Sequence, residues 1–115
     1  MPVIPWEKAP TRPRSDDPDG FAKLFVNRSL GAQRLQMHVS VISPGKRAHP
    51  PHQHPEEEIM YVLEGEGTMT LGQERIPVEA NTAIFIPSNV FHGIENTGTT
   101  MLRYMVILEQ KREEG

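Results

Sequence analysis

The sequence contains no cysteine. That absence excludes a disulfide framework, any thiolate metal site and any thiol nucleophile, and it suits a reducing compartment. Basic residues are neither abundant nor clustered: 12 Lys and Arg face 15 Asp and Glu, for a net charge of −3. Without a basic stripe there is no electrostatic footprint for nucleic acid. No apolar run approaches the length of a membrane span. The opening residues Met1-Pro2-Val3-Ile4-Pro5-Trp6 lack the basic-then-apolar pattern of a signal peptide. A soluble, cytoplasmic chain with no nucleic-acid or membrane partner is therefore expected. No window holds the i, i+3, i+4, i+7 pattern of an amphipathic helix for three turns.

What is present is punctuation. Eleven prolines and nine glycines interrupt 115 residues, a length that fits one domain. Pro2, Pro5, Pro10, Pro13 and Pro18 crowd the first 20 residues. Proline lacks an N–H and fixes φ, so 1–20 reads as an extended arm with no place in a central strand. Val3, Ile4 and Trp6 give that arm apolar groups to pack.

From residue 21 the chain becomes a series of short strand-like runs. Residues 35–41 alternate apolar and polar, the signature of a half-buried strand. Further runs at 58–64, 67–72, 76–78, 83–86, 91–94 and 101–108 are separated by Gly, Pro and Asn. The segment 20–26 suits either a strand or a single helical turn. Gly65-Glu66-Gly67 reads as a hairpin or bulge between two runs. Many short strands with turn residues between them indicate an all-β sandwich or closed barrel. That barrel is assigned to 21–110 and a loose charged tail to 111–115.

Five histidines, at 38, 49, 52, 54 and 92, carry the chemical signal. On a strand, positions i and i+2 point the same way with Cα atoms ~6.5–7 Å apart. His52 and His54 can therefore converge on one ion, at ~2.0–2.1 Å from each nitrogen. Glu58 then opens an apolar strand. If it faces inward it needs a partner, because an unpaired buried charge is costly. A cation between Glu58 and the two imidazoles answers that need.

His52-x-His54, three residues, Glu58, six residues and Gly65 resemble the first motif of the cupin family, with Gly45 one residue further upstream than usual. Pro87-Ser88-Asn89-Val90-Phe91-His92-Gly93-Ile94-Glu95-Asn96 resembles the second. Asn81 and Asn89 stand where glycine is usual, and Asn is the non-glycine residue that best tolerates φ > 0. Asn89 is expected to hold such a φ.

The resemblance implies a double-stranded β-helix, the jelly-roll barrel, with His52, His54, Glu58 and His92 binding one divalent transition metal. Mn, Fe, Ni, Zn and Cu all suit imidazole and carboxylate. His49 is read as a solvated rim residue and His38 as facing solvent. Some cupin lyases carry a catalytic Tyr two residues after the ligand Glu, where this chain has Met60.

Three neutral imidazoles and one carboxylate leave a divalent ion a single positive charge and adjacent open positions, suited to a bidentate oxygen ligand. The expected partner is thus a small oxygenated molecule. The expected activity is that of a dioxygenase or an isomerase or lyase. The alternative is a non-catalytic metal- or ligand-binding module, since fold alone does not fix function. Strands 59–63 and 101–108 are apolar on both faces, whereas a sheet with one solvated face alternates. A homodimer, with Trp6 and its neighbours at or beside the interface, is the expected cover.

Overall fold

The computed structural model describes residues 2–111; Met1 and residues 112–115, which include most of the expected loose tail, lie outside the described residues. Nine strands follow in order: β1 (Thr11–Arg14), β2 (Asp17–Val26), β3 (Leu35–Ile42), β4 (Glu58–Glu64), β5 (Glu66–Leu71), β6 (Glu74–Glu79), β7 (Thr82–Ile86), β8 (His92–Glu95) and β9 (Leu102–Glu109). They form a six-stranded sheet, ordered β1-β2-β3-β9-β4-β7, and a three-stranded sheet, ordered β6-β5-β8. All neighbouring strands run antiparallel. This is the expected all-β jelly roll. The only helical pieces among the described residues are 3-10 turns at Trp6–Lys8 and Arg28–Leu30. No helix there is long and apolar enough to cross a membrane.

Strand register explains why one end of the interior is a cavity and the other is packed. Along β9 the inward residues are Leu102, Tyr104 and Val106, all buried. Ile42 lies opposite Leu102 at one end, and both are fully buried. Burying an aliphatic side chain of that size is worth ~1.5–3 kcal/mol, so this end behaves as the hydrophobic anchor. At the other end Gln36 and Glu58 both lie opposite Leu108. There Gln36, His38 and Glu58 line a cavity together with Leu108.

β3 also corrects an expectation. His38 does not face solvent. Its polar phase, Gln36 and His38, lines the interior cavity, while Met37, Val39 and Val41 form the opposite face. The usual alternation is inverted, and the outer face of this sheet is covered in part, on its β2 side. Trp6 supplies part of that cover: its ring lies 6.3 Å from Phe21 and 6.1 Å from Phe25. Arg103 and Lys23 stand over the same indole at 5.1 and 5.6 Å, within the range of a cation–π contact. Beneath, Val39 is buried although it faces outward.

Residues 11–20, read as arm, are largely strand. β1 is the sheet's edge, where Pro13 costs no interior hydrogen bond. β2 starts at Asp17, before the expected barrel boundary. The buried Asp17 carboxylate accepts hydrogen bonds from the amides of Ser43 (2.7 Å) and Asp19 (3.2 Å). Burial pushes its pKa up, but these bonds more than reverse that and hold it below the ordinary carboxylate range. A Cβ at Gly20 would lie 2.4 Å from Asp17 Oδ2, so only glycine fits against this carboxylate.

Gly65 is neither hairpin nor simple insertion. β4 pairs with β7 and β9 whereas β5 pairs with β6 and β8, so Gly65 is the corner at which the chain changes sheets. Its φ is 86°, and a Cβ would stand 2.5 Å from the Met101 carbonyl oxygen. A register shift between Val62 and Glu64 accompanies the corner.

Candidate metal centre

His52 and His92 are brought together by backbone pairing, although 40 positions separate them in sequence. Each amide donates to the other's carbonyl, His52 N to His92 O at 2.9 Å and His92 N to His52 O at 2.8 Å. Residues directly opposite in an antiparallel pair project from the same face, so the two imidazoles converge. The next residue, Gly93, makes this approach possible: a Cβ there would meet Pro51 at 3.0 Å. His54, two residues beyond His52, joins the same side. A third tie comes from the turn before β8, where the Asn89 amide donates to the His54 carbonyl at 2.7 Å. Asn89 holds φ at 62°, the positive value expected of it, and Asn81, which also stands where glycine is usual, holds 66°.

The three rings form a near-equilateral triangle. Centroids lie 5.1 Å apart for His52 and His54, and 4.9 Å apart for each of those with His92. Each pair meets edge to face. One ring nitrogen from each of His52, His54 and His92 lies within 4.8 Å of the others, an arrangement that could hold a metal ion. Glu58, the first residue of β4, points its Oε1 to within 3.1 Å of His54 Nε2 and 3.4 Å of His92 Nε2.

The hydrogen bonds around the triangle fix which nitrogens face inward. His54 Nδ1 lies 2.9 Å from the Glu56 carbonyl oxygen, and His92 Nδ1 lies 2.8 Å from that of Val90. A carbonyl only accepts, so both Nδ1 atoms carry the proton. In the neutral ring Nε2 is then a lone pair aimed at Glu58. A carboxylate facing two lone pairs is repulsive unless positive charge lies among them. His92 Nε2 is also buried without a hydrogen-bond partner. A divalent cation resolves both conflicts at once, and the anchored Nδ1–H groups are the outer support that metal-ligating histidines commonly have. The residues therefore fit the group.

His52 and Glu58 are held in the charge states a metal ligand needs, whereas the Glu58 carboxylate favours protonation of His92 when no cation lies between them. Partial desolvation, followed by the neighbouring His49 and His92, lowers the pKa of the exposed His52 ring to about 4, which favours the neutral imidazole. Burial raises Glu58, but His92 and His54 outweigh it and keep the carboxyl below its ordinary range. For His92, burial acts downward and the Glu58 carboxylate more than reverses it.

The remaining histidines take different places. His49 stands at the rim with its ring 4.4 Å from that of His52, and its Nδ1 faces the Pro50 carbonyl at 2.8 Å. His38 is deeper. Burial, followed by the charge of Arg14, lowers its pKa to about 4. The cavity, about 380 Å³, opens over the histidines and is lined further by Arg12, Arg14, Tyr104 and Lys111. Sequence reasoning missed Arg14, because it lay in the segment read as an arm outside the barrel.

The Cupin domain family matches residues 38–108. Auxin-binding protein 1 of Arabidopsis thaliana is 32% identical over 102 residues, covering 79% of this chain and 51% of the plant protein. The chain spans about half the length of the curated relatives it matches first. Among solved structures, the polyketide cyclase RemF from Streptomyces resistomycificus superposes with a TM-score of 0.83 at 24% identity, over 99% of this chain and 82% of that one. A predicted oxalate decarboxylase from Thermotoga maritima gives 0.81 at 23% identity, over 95% and 99% respectively. Jelly-roll topology, both histidine motifs and the match over 38–108 agree: the chain belongs to the cupin family.

Proposed function

We propose that this protein is a metal-dependent cupin enzyme that binds one divalent transition metal on His52, His54, Glu58 and His92 and acts on a small oxygenated compound. The observation that carries this reading is the buried, unpartnered His92 Nε2 facing the Glu58 carboxylate, within a triangle of histidines. When bound, such an ion supplies Lewis acidity toward a substrate oxygen and, if redox-active, a means of using dioxygen. The protein's own contribution is positional. Val90 and Glu56 carbonyls hold two imidazoles by their Nδ1–H groups, and Glu58 balances part of the positive charge. Met60, Val106 and Leu108 make one wall apolar, which limits water at that side. The reaction classes favoured are dioxygen-dependent cleavage and isomerase or lyase chemistry.

A second reading has support in the name of a relative, an auxin-binding protein: a cupin that holds a metal and a ligand without turnover. Metal analysis of protein purified without an affinity tag, followed by oxygen-uptake and product assays on keto-acids, diols and catechols, separates the two. Stoichiometric metal with turnover that disappears in His92→Ala is the expected result. Saturable binding with no turnover across the panel would favour the second reading, and absence of bound metal would contradict both.

A homodimer is part of the same proposal. Phe85, Ile59, Ile107 and Met37 lie in one register row across β7, β4, β9 and β3. Phe85 is 55% and Ile59 45% exposed, and Trp6 covers only the β2 side of this face. A contiguous apolar stripe of this kind favours a partner surface, and two-fold pairing of identical copies is the commonest solution. Light scattering across a dilution series should give a dimer at tens of micromolar, shifted toward monomer by Phe85→Glu. A wild-type monomer at that concentration would contradict the dimer.

A further inference from the structure

Arg14 enters the cavity from β1, and no carboxylate meets it among the described residues. One guanidinium nitrogen, Nη2, donates to His38 Nε2 at 3.2 Å and to the Ser40 hydroxyl. Both acceptors are neutral, because burial and Arg14 itself keep His38 from protonating near neutral pH. The Arg14 Nε–H is buried with no partner at all. A partly buried guanidinium with an unused donor and no counter-charge is costly unless something anionic completes it. The surroundings do not supply that anion. Arg12 and Lys111 line the same cavity and add positive charge, while Glu58 is directed to His54 and His92. His38 and Ser40 occupy Nη2 and Nε is shielded from the cavity, which leaves Nη1 as the guanidinium nitrogen open to a ligand.

We propose that Arg14 is the carboxylate anchor of the cavity, so that the molecule bound over the histidine triangle is a small organic anion such as a 2-hydroxy or 2-oxo acid. The inference rests on the metal-site reading for its placement of the ligand, and it narrows that reading from oxygenated compounds in general to carboxylates. Arg14 donates from Nη1 to the carboxylate, a charge-assisted hydrogen bond. His38 and Ser40 act as positioning residues by fixing the guanidinium plane. The cavity of about 380 Å³ accepts a compound of this size with its remaining oxygens directed to the histidines.

The probes are lactate and its neutral isostere lactamide, titrated calorimetrically into metal-loaded protein. Wild type should prefer lactate, and Arg14→Gln should lower the lactate-to-lactamide affinity ratio at least about tenfold, the loss of a charge-assisted hydrogen bond. Arg12→Gln removes the same charge from a more exposed position and should change the ratio less than about threefold. Arg14→Lys, which keeps the charge but not the planar group that His38 and Ser40 hold in place, should also reduce the ratio. A readout on wild-type protein needs no variant to fold: the ¹⁵N resonance of the Arg14 Nε–H should shift with lactate and not with lactamide. An unchanged ratio in Arg14→Gln with full metal content would overturn the anchor and leave the metal centre standing. An Arg14-dependent preference in protein that takes up no metal would support the anchor and overturn the metal centre. An Nε–H resonance unmoved by saturating lactate would overturn the anchor directly.

Discussion

His92→Ala and His54→Ala are each expected to lower metal affinity well beyond tenfold, while His49→Ala leaves it unchanged. The ranking follows from how each ring is held. Both His54 and His92 spend their Nδ1–H on a backbone carbonyl, so ring orientation is set before any ion arrives. Loss of such outer support alone costs ~10–100-fold in affinity, and loss of the ligand itself should cost more. His92 is 1% exposed and His52 is exposed, so the deeper ligand should matter most. His49, whose Nδ1 faces the neighbouring Pro50 carbonyl, lies behind His52 rather than in the triangle. Equilibrium dialysis against a single divalent ion, read by elemental analysis, gives the comparison. Ligand loss should also remove the stabilisation that saturating metal gives wild type.

The largest expected effect on stability belongs to Asn96, which touches neither metal nor cavity. Asn96 is fully buried, and its Nδ2 donates to the carbonyls of Ile42 (2.9 Å) and Thr100 (2.8 Å) while its Oδ1 accepts from the Gly98 amide (3.0 Å). Its backbone closes the circuit, accepting from Gly45 N and donating to Lys46 O, both at 2.9 Å. One side chain thus joins the end of β3, the Gly45 turn and the loop before β9. Each such bond contributes ~1 kcal/mol net, and stranding the buried partners adds more, so Asn96→Ala should cost about 3–4 kcal/mol. That is a large share of the ~5–15 kcal/mol that holds a domain together. Urea unfolding with chelator present isolates the effect from metal binding, and the midpoint should fall with little change in slope. Asn89→Gly is the contrast. Its φ of 62° already suits glycine, so that substitution should be close to neutral. A small loss for Asn96→Ala would show that the loop keeps its bonds without the amide.

Much of this architecture is legible in the residues. The strands from 35 onward fall within a residue or two of their expected bounds, because alternation and Gly or Pro punctuation act together there. The convergence of His52 and His54 follows from their spacing, whereas His92 joins them only through the resemblance to the second cupin motif. What was not legible is instructive. β1 and the start of β2 hide beneath prolines, and only an edge position lets Pro13 join a ladder. His38 is placed inside while Val39, on the other phase of β3, is buried on the outer face, beside the strand on which Trp6 packs against Phe21 and Phe25, a contact between distant segments that no local pattern encodes. Arg14 became visible only when β1 joined the sheet and carried its guanidinium to His38 and Ser40.

X-ray absorption at the metal edge, on protein purified without an affinity tag and reconstituted with one equivalent of a divalent ion, tests the central claim most directly. The account predicts a shell containing three imidazoles, recognised by their ring scattering, together with oxygen donors that include a carboxylate. His92→Ala should reduce the imidazole count to two or abolish binding. A wild-type shell with fewer than three imidazoles, or one unchanged by His92→Ala, would contradict the assignment of His52, His54, Glu58 and His92 as the metal centre.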